Sequence, residues 1–383
     1  MRLVLEIIFW CSGALIVWTQ LAYAAALALL ARILRRPPLA PGSDAGAAQA
    51  SELSLIIAAH NEEQVIGAKV ANALGLDYPR ERLEVIIACD GCTDRTAERA
   101  REAGADLVLE LPRGGKIRAQ DAAVERSRGE IVAFSDANSI WRADAAHALL
   151  RAFADPRVGY ACGQVQFEAA AGERNQEGVY WRYEMAVRAL ESRLSSITAG
   201  NGAIYATRRD SYIVVDPIMG HDLSLPFKIV KRGMRAVYVP DARASEKMVP
   251  SLGGEFARKR RMMSHTWPIL MRGGLLSPRG YTPGYALMVI SHRLLRYATP
   301  GLHLIALAAN VAALALGAGP VYWVTLALQL ALLLAAALAG ALPARPLLIA
   351  RYYVLTTASL AAGLWDWLRH GTEAHWEIAE GTR

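Results

Sequence analysis

Cysteine is scarce in this 383-residue chain, which contains only four. Cys89 and Cys92 have the C-x-x-C spacing of a redox pair or of half a zinc site, but the sequence has no second C-x-x-C pair to complete such a site. We therefore interpret the cysteines as reduced thiols, with a redox role for Cys89 and Cys92 as the alternative.

A glycine-rich dinucleotide fingerprint is also missing. The first predicted strand, at residues 53–59, is not followed by G-x-G-x-x-G, the turn that brings a helix N-terminus against a pyrophosphate. A dinucleotide-binding dehydrogenase is therefore not expected.

Charged residues are sparse for a water-soluble enzyme. They make up 20% of the chain, whereas 54% is hydrophobic and the mean hydropathy is +0.20. This balance predicts membrane segments. The formal net charge is +7, which suits nucleic acid, anionic lipid or phosphorylated substrates, and charge alone does not choose among them.

The first hydrophobic run, residues 3–30, contains Glu6 as its one charged residue and is long enough to span a bilayer. Residues 22–24 (Ala-Tyr-Ala) resemble a signal-peptidase site, so a cleaved signal peptide is the alternative. We favour an anchor, because apolar residues continue past that site and because arginines follow at positions 32, 35 and 36. The positive-inside rule then predicts an external amino terminus and a cytoplasmic continuation.

Further hydrophobic segments lie in the last quarter of the chain, at residues 304–316, 321–342 and 347–368. The third is weaker, because Arg351 and Asp366 interrupt it, and it either spans the bilayer or lies in the interface. Residues 291–297 are expected to lie in the interface before the first of these segments.

Between the hydrophobic runs, strands and helices alternate. Strands are predicted at residues 53–59, 83–89, 106–109 and 131–134, with helices from residue 62 and at 93–103, 116–127 and 143–153. This alternation of strands and helices predicts a mostly parallel sheet. The pattern then becomes less regular, with strands predicted at 158–167 (antiparallel), 203–206 and 236–239, and helices at 176–193, 222–231 and 255–267.

The strand at residues 131–134 ends abruptly in Ser135-Asp136-Ala137-Asn138. In open α/β sheets the carboxyl edge of the strands is where ligands bind. Asp136 and Asn138 supply oxygen ligands two residues apart, which suits a divalent cation that keeps waters and takes other ligands from substrate phosphates. An Asx turn that caps the next helix is the alternative.

Other candidate groups occur at comparable places. Asp90 ends the second strand, Asp222 follows Gly220-His221, Lys116 follows two glycines, and residues 258–261 are all basic. An anionic nucleotide donor needs cationic groups at its diphosphate, and a hydroxyl acceptor needs a carboxylate base. The alternatives are a solvated loop lysine and a basic patch for lipid headgroups.

Taken in order, these motifs resemble those of the membrane-bound family 2 glycosyltransferases. Residues 54–63, Ser-Leu-Ile-Ile-Ala-Ala-His-Asn-Glu-Glu, are similar to the opening strand and Asn-Glu signature of that family. Residues 90–96, Asp-Gly-Cys-Thr-Asp-Arg-Thr, resemble its second motif, and Gly115-Lys116 with Asp121 resembles its Gly-Lys-x-x-Ala-x-Asn element. The resemblance covers about residues 52–267 and implies an α/β fold of the glycosyltransferase A type, Rossmann-like with a mostly parallel sheet and flanking transmembrane helices.

The resemblance also implies a role for each matched residue. Asp222 is the expected catalytic base, Asp90 is expected at the nucleotide base, and Asp136 with Asn138 is expected to bind Mg²⁺ or Mn²⁺. The expected donor-binding residues are Ala58, His60, Glu62, Asp90, Lys116, Asp136, Arg258 and Arg261. The expected acceptor-binding residues are Asn201, Gly202, His221, Met262 and Trp267. For His221, a structural role is the alternative.

Several positions depart from the family pattern. Asn138 stands where Asp is more common, so the metal site loses a charge. Arg258 to Met262 resembles Gln-x-x-Arg-Trp, but Met262 has no aromatic face on which a sugar can stack, and Arg258 adds a cation that suits a phosphate. Trp267 could replace the missing ring only if the helix ended or turned after Arg261.

The sequence therefore predicts an inverting, metal-dependent glycosyltransferase that moves a sugar from a UDP- or GDP-linked donor to a membrane lipid or lipid-linked saccharide, with no nucleic-acid partner. A processive polysaccharide synthase subunit and a catalytically silent assembly protein are the alternatives, and a channel or transporter is less favoured because the hydrophobic segments hold few charges. The expected location is a bacterial-type plasma membrane, multi-pass, with the catalytic domain in the cytoplasm.

The predicted domain organisation follows from these segments. We expect a transmembrane anchor at 1–36, a linker at 37–50, a cytoplasmic glycosyltransferase domain at 51–267, interfacial helices at 268–302, transmembrane segments at 303–368 and a tail at 369–383.

Overall fold

The computed structural model describes residues 1–35, 51–168, 177–247, 252–342 and 344–374. The predicted linker at 37–50 and residues 375–383 of the predicted tail lie outside these ranges.

An eight-stranded sheet forms the centre of the molecule, in the order β3-β2-β1-β4-β7-β6-β8-β5. Its first half is parallel and consists of β1 (Leu53–Ala59), β2 (Leu83–Asp90), β3 (Leu107–Leu111) and β4 (Ile131–Asp136). The three inner strands of this half are apolar and buried almost throughout, as expected for parallel strands covered on both faces. The predicted parallel sheet is confirmed, and β1 lies between the strands that end in Asp90 and Asp136.

The second half of the sheet is mixed. Its strands are β5 (Ile140–Trp141), β6 (Val158–Glu168), β7 (Tyr205–Arg208) and β8 (Arg235–Lys247). β7 pairs antiparallel with both β4 and β6, whereas β6 and β8 are parallel. The antiparallel prediction for β6 is confirmed for its β7 side, and β8 is much longer than the predicted strand.

Helices cover both faces of the sheet. Those of the sheet domain are α3 (Ile66–Leu74), α4 (Thr96–Glu102), α5 (Lys116–Arg126), α6 (Ala145–Arg151), α7 (Glu177–Leu194), α8 (His221–Lys231) and α9 (Leu252–Met271). Two buried clusters form the core, one on each face.

The first helical segment has two parts, α1 (Arg2–Val17) and α2 (Tyr23–Ile33), joined by a π-helical turn. Tyr23, Leu27 and Ala31 of α2 are buried in the core cluster of the sheet domain. The part of the expected anchor after residue 22 therefore packs on the sheet domain.

The remaining helices are α10 (Pro283–Val289), α11 (Leu295–Ala315), α12 (Pro320–Leu338) and α13 (Arg345–His370). By length and composition, four segments of the described residues could cross a membrane: 2–33, 283–315, 320–338 and 345–370. A π-helical turn at Ile290–Leu294 joins α10 to α11.

Residues 291–297, which we predict to lie in the interface, begin with buried side chains, and their position relative to a membrane stays a prediction. Ser291, His292 and Arg293 are buried inside the protein, in the turn that joins α10 and α11 into one 33-residue helix. Thr19 donates a hydrogen bond to the Ser291 carbonyl at 2.8 Å, so the turn faces the first helical segment.

Candidate active site

The carboxyl edge of the parallel strands gathers the predicted functional residues. β1 aligns Ala58 with Asp136 of β4 on one side and with Ala88 of β2 on the other. The carboxylates of Asp90 and Asp136 therefore flank the end of β1, where ligands bind in sheets of this kind.

Asp90 holds the loop that precedes Lys116. Its carboxylate is 1% exposed and accepts hydrogen bonds from the backbone N–H groups of Gly114 at 2.6 Å and Gly115 at 3.0 Å. Arg113 lies 3.4 Å from the same carboxylate. Asp90 therefore fixes the glycine loop, and contact with a nucleotide base stays a prediction.

Lys116 and Asp136 form an ion pair at the start of α5, with side chains 27% and 30% exposed. Burial alone would lower the pKa of Lys116, but the charge and hydrogen bond of Asp136, together with the charges of Asp222 and Glu246, raise it. A Cβ added to Gly202 would lie 3.4 Å from both Asp136 Oδ2 and Lys116 Nζ. The predicted metal ligand, donor lysine and acceptor-site glycine therefore meet at one place.

The donor set around Asp136 suits a divalent cation. The Asp136 carboxylate already pairs with one positive charge, the ammonium group of Lys116. Among the described residues, no three His, Cys, Asp or Glu side chains cluster as a metal cage. Asp136 with Asn138 would thus hold a cation that takes most of its ligands from water or substrate, as Mg²⁺ often does.

Asp222 lies in the first turn of α8 on the same side of the sheet. Its backbone carbonyl accepts a hydrogen bond from Gly200 N at 2.6 Å, which ties α8 to the loop before Gly202. Its negative charge contributes to the raised pKa of Lys116. The hydrogen bond therefore joins the predicted base to the loop whose Gly202 adjoins the Lys116–Asp136 pair.

His221 is buried and hydrogen-bonded within the protein, which agrees with the structural alternative, and its contact with an acceptor stays a prediction. It is 3% exposed, with Nδ1 2.9 Å from the Tyr205 hydroxyl and Nε2 3.2 Å from the Tyr212 hydroxyl. Because Tyr212 donates its proton to Asp121 at 2.5 Å, Nε2 donates to Tyr212 and Nδ1 accepts from Tyr205. Burial, with a smaller effect of Lys116, lowers the pKa of His221 to about 3.

Asn201 is also occupied within the protein. Its amide nitrogen donates to the Gly163 carbonyl at 2.7 Å, and its oxygen accepts from the N–H groups of Ala203 and Ile204 at 3.1 and 2.9 Å. These contacts give the side chain a structural role, and its contact with an acceptor stays a prediction. Asn201 shapes the loop that presents Gly202, and β7 begins after that loop.

Trp267 does not replace the missing ring. The helix α9 continues to Met271, so it does not end or turn after Arg261. The Trp267 indole donates to the Leu360 carbonyl at 3.1 Å and lies 6.2 Å from the Tyr297 ring. It therefore packs against α11 and α13, and its assignment to the acceptor site stays a prediction.

The residues after β1 lie beside Asp90. His60 Nδ1 is 2.7 Å from the Asp90 carbonyl. Glu62 is 3% exposed and its N–H donates to Thr96 at 2.8 Å. Ala58 is 5% exposed within the sheet. His60 is thus closest to the predicted nucleotide position, whereas the Ala58 and Glu62 side chains are largely buried.

The basic residues of α9 point in different directions. Arg260 forms a two-point ion pair with Asp366 at 2.6 Å, away from the sheet edge. Arg258 Nη1 lies 3.9 Å from Met262 Sδ, and Met262 is 43% exposed. The charges of Asp222 and Arg261 both act on the pKa of His265, which burial lowers. Arg261 lies on the same helix, and its contact with the donor diphosphate stays a prediction.

Lys69 is a residue of this region that sequence reasoning missed. It is fully buried, donates to the Ser139 carbonyl at 2.6 Å and lies 5.5 Å from the Trp141 ring. Burial lowers its pKa to about 7. One helical turn on, Asn72 exchanges two hydrogen bonds with the Trp141 backbone at 2.8 and 2.9 Å. The sequence feature that could have revealed Lys69 is the presence of a lysine on the apolar face of α3.

Comparison with known proteins gives matches to the same region. Residues 54–212 match the family described as Glycosyl transferase family 2. The β-monoglucosyldiacylglycerol synthase of Synechocystis sp. is 31% identical over 218 residues, which are 52% of this chain and 43% of that protein. The poly-β-1,6-N-acetyl-D-glucosamine synthase of Staphylococcus aureus is 22% identical over 231 residues, or 57% of this chain and 56% of that protein. The chain spans about half the length of these curated relatives.

A solved structure matches over almost the whole chain. The mannosyltransferase PcManGT of Pyrobaculum calidifontis, in complex with GDP-Man and Mn²⁺, superimposes with a TM-score of 0.72 at 25% identity. The match covers 95% of this chain and 99% of that one. It therefore includes the apolar helices as well as the sheet domain.

Proposed function

We propose that this membrane-associated chain, whose domain belongs to the family 2 glycosyltransferases and has the glycosyltransferase A fold, transfers a single sugar from a nucleotide-sugar donor to a lipid or lipid-linked acceptor. The observation that carries the proposal is the approach of Gly202 to the Lys116–Asp136 pair at the carboxyl edge of the sheet, in a loop whose Gly200 is hydrogen-bonded to the Asp222 carbonyl.

In this proposal, the donor diphosphate binds at the Lys116–Asp136 pair. Its negative charge would draw Lys116 away from Asp136, and Mg²⁺ or Mn²⁺ held by Asp136 and Asn138 would neutralise the charge that grows on the leaving diphosphate. The Mn²⁺ and GDP-mannose of the Pyrobaculum complex support a donor of this chemistry. Both UDP- and GDP-linked sugars stay candidates.

The chain's own residues then carry the transfer. Asp222 takes the proton from the acceptor hydroxyl while the hydroxyl oxygen bonds to the anomeric carbon. The bond from that carbon to the diphosphate oxygen breaks, and its electron pair leaves with the nucleoside diphosphate. Lys116 and Arg261 stabilise that charge, and one displacement inverts the configuration at the anomeric carbon.

A lipid acceptor is supported by the apolar helices that adjoin the site and by the similarity to a diacylglycerol glucosyltransferase. The similarity to a polysaccharide synthase supports the second candidate, a processive subunit. Met262, at the position of the family's ring, favours single addition, because a thioether is flexible and offers no planar face.

The test is transfer by the purified full chain. UDP-glucose, UDP-N-acetylglucosamine and GDP-mannose are each incubated with membrane lipid extract and Mn²⁺, and the lipids are analysed by mass spectrometry. We expect one donor to yield a glycosylated lipid, with loss of transfer in EDTA and in Asp136→Asn. The exposed variant Asp210→Asn is the control. Absence of both transfer and donor hydrolysis with every donor would favour the silent assembly protein, and activity of Asp136→Asn in EDTA would contradict the metal assignment.

A further inference from the structure

We propose that Lys69, a buried residue of α3 that the transfer step does not use, is a positioning residue for the divalent cation of the donor. Its ammonium group holds the turn after β4 from the buried side, so that Asp136 and Asn138 present their oxygens together. This role rests on the proposed function, because the cation is the one assigned there to Asp136 and Asn138.

The turn, residues 136–139, alternates between accessible and buried positions. Asp136 and Asn138 are partly exposed, whereas Ala137 is 3% and Ser139 is 0% exposed. The turn closes where the Ser139 N–H donates to the Asp136 carbonyl at 3.2 Å. The two predicted ligands are therefore on the accessible side, and a contact that fixes Ser139 in the interior also fixes its neighbour Asn138.

A single carbonyl ties this turn to the loop of Gly202. The Ala203 carbonyl accepts hydrogen bonds from Ser135 Oγ at 3.0 Å, from Ser139 Oγ at 3.4 Å and from the Trp141 indole at 2.9 Å. Because Ala203 follows Gly202 directly, the turn and the predicted acceptor loop form one connected unit.

Lys69 holds this unit from α3. Its Nζ donates to the Ser139 carbonyl at 2.6 Å and lies 5.5 Å from the centre of the Trp141 ring. One helical turn later, Asn72 donates to the Trp141 carbonyl at 2.8 Å and accepts from the Trp141 N–H at 2.9 Å. Side chains three residues apart lie on one face of a helix, so this face of α3 fixes both Ser139 and Trp141.

The burial of Lys69 distinguishes it from Lys116. Lys116 is 27% exposed beside Asp136, whereas Lys69 is 0% exposed and is therefore not placed to contact a diphosphate. Lys69 acts only through the backbone that it holds. Burial of an ammonium group is costly, and an apolar side chain would fill the same space without that cost, so packing alone does not account for a lysine here.

Loss of the hydrogen bond to Ser139 should weaken cation binding rather than the bond-making step. Removal of a group that orients metal ligands typically lowers metal affinity by about 10–100-fold. Asn138 is a neutral ligand, so its contribution depends on an amide oxygen held beside the Asp136 carboxylate. A turn released at Ser139 keeps only Asp136 in place.

The first test measures Mn²⁺ binding and needs no transfer. The purified full chain in detergent is titrated with Mn²⁺, alone and with UDP or GDP, and the free ion is measured by electron paramagnetic resonance against a protein-free blank. Lys69→Met keeps a long, unbranched side chain and removes the donor. We expect the dissociation constant of Mn²⁺ to rise by about 10–100-fold.

Thr207→Val is the matched control. The Thr207 hydroxyl is also buried and donates to the Gly159 carbonyl at 2.7 Å, but β7 pairs Thr207 with Val132, away from the carboxyl edge. This variant should lower the melting temperature, as Lys69→Met should, and leave Mn²⁺ binding unchanged. Wild-type affinity in Lys69→Met, or an equal loss of affinity in both variants, would overturn the proposal.

A second variant covers the case in which Lys69→Met does not fold. Asn72→Ala keeps the ammonium group and removes both hydrogen bonds to the Trp141 backbone. We expect a rise in the Mn²⁺ dissociation constant at the lower end of the same range, about tenfold. Unchanged affinity in Asn72→Ala would then overturn the proposal.

The Mn²⁺ dependence of transfer separates positioning from a role in the reaction. In Lys69→Met we expect a higher Mn²⁺ concentration at half-maximal rate, with a rate at saturating Mn²⁺ near that of the wild type. A lower saturated rate with an unchanged Mn²⁺ requirement would overturn the positioning role. If the wild-type chain binds no Mn²⁺, the proposed cation site fails as well; if it binds Mn²⁺ and Lys69→Met binds it equally, only the role of Lys69 fails.

Discussion

Two neighbouring residues, His221 and Asp222, have opposite environments because they begin a helix at the edge of the sheet. In the first turn of α8, successive side chains point about 100° apart. His221 therefore enters the core between Tyr205 and Tyr212, whereas Asp222 is only half-buried and acts on Lys116. The common Glu-Asp pair of the family would place a carboxylate where this chain has a buried neutral imidazole.

Asp222→Asn tests the assignment of the base. We expect the turnover rate to fall by at least about a hundredfold, the usual scale for loss of a general base, with nucleotide affinity nearly unchanged. The measurements are steady-state transfer and equilibrium nucleotide binding. Asp216→Asn, an exposed carboxylate in the loop before α8, is the matched control. A large loss of nucleotide affinity with intact turnover would move Asp222 to the donor site.

His221 predicts a pH dependence of stability. Its pKa is about 3 in the folded protein and about 6.5 when unfolded, so the unfolded state binds a proton first as the pH falls. The contribution is complete above about pH 6.5 and is lost below it, by up to about 1.4 kcal/mol per pH unit. We expect the melting temperature in detergent to fall between pH 7 and 5, and less steeply in His221→Asn. His370→Asn, at an exposed position, should keep the wild-type slope; equal slopes in all three proteins would contradict the prediction.

At the scale of elements, the crossing of α9 and α13 depends on Gly363. An added Cβ there would lie 2.5 Å from Met263 Cβ and 2.8 Å from the Arg260 carbonyl, so the two helices would have to separate. We expect Gly363→Ala to destabilise the protein by about 1–3 kcal/mol, the usual cost of overpacking, measured as a lower melting temperature in detergent. Gly301→Ala, in helix α11 with nothing within 4 Å of the new methyl group, is the control. An unchanged melting temperature in Gly363→Ala would contradict the close crossing.

The elements that were predictable from the sequence are those whose burial shows in the pattern of consecutive residues. β1, β2 and β4 are continuous apolar runs because helices cover both faces of a parallel sheet. The parallel pairing of β6 with β8 joins segments far apart in the chain, and no local pattern encodes it. Lys69 could have been noticed as a lysine on the apolar face of α3, but its contact with Ser139 joins residues far apart in sequence.

The difference between local patterns and contacts far apart in the chain also explains which features of the candidate site could be predicted. Asp90, Lys116, Asp136 and Asp222 were predictable because each follows a strand end or a glycine turn. The contacts of Asn201 and Trp267 within the protein were not, because their partners, Gly163 and Leu360, lie far away in sequence.

For the whole molecule, a buried ionic cluster joins the sheet domain to the apolar helices. Glu184 of α7 lies within 3.5 Å of His292, Arg293 and Arg296. Burial alone would raise the pKa of Glu184, but the charge of His292 and those of the neighbouring arginines hold it well below its usual range. Removing one partner of such a pair leaves a buried charge uncompensated. The sheet domain and the helices are therefore held in a fixed relation.

Helix α9, which carries Met262, contacts the sheet domain through His265 and the Ile218 carbonyl and the apolar helix α13 at Gly363. A processive enzyme must hold a polymer end while extending it, and stacking of sugars on an aromatic ring is a usual way to do so. Here the position of that ring is taken by an exposed methionine, and the indole of Trp267 is directed toward Leu360.

We therefore expect one sugar to be added to each acceptor. With excess donor and a lipid acceptor, the purified chain should give a single product heavier by one sugar, as measured by mass spectrometry over a time course that continues until the acceptor is consumed. Met262→Trp restores a ring at the family position without changing the charge of α9, and Met271→Trp, at the exposed end of the same helix, is the matched control. If the ring is what retains a product, only Met262→Trp should yield additional, longer products. A ladder of longer products from the unmodified chain would contradict single addition and favour the processive synthase.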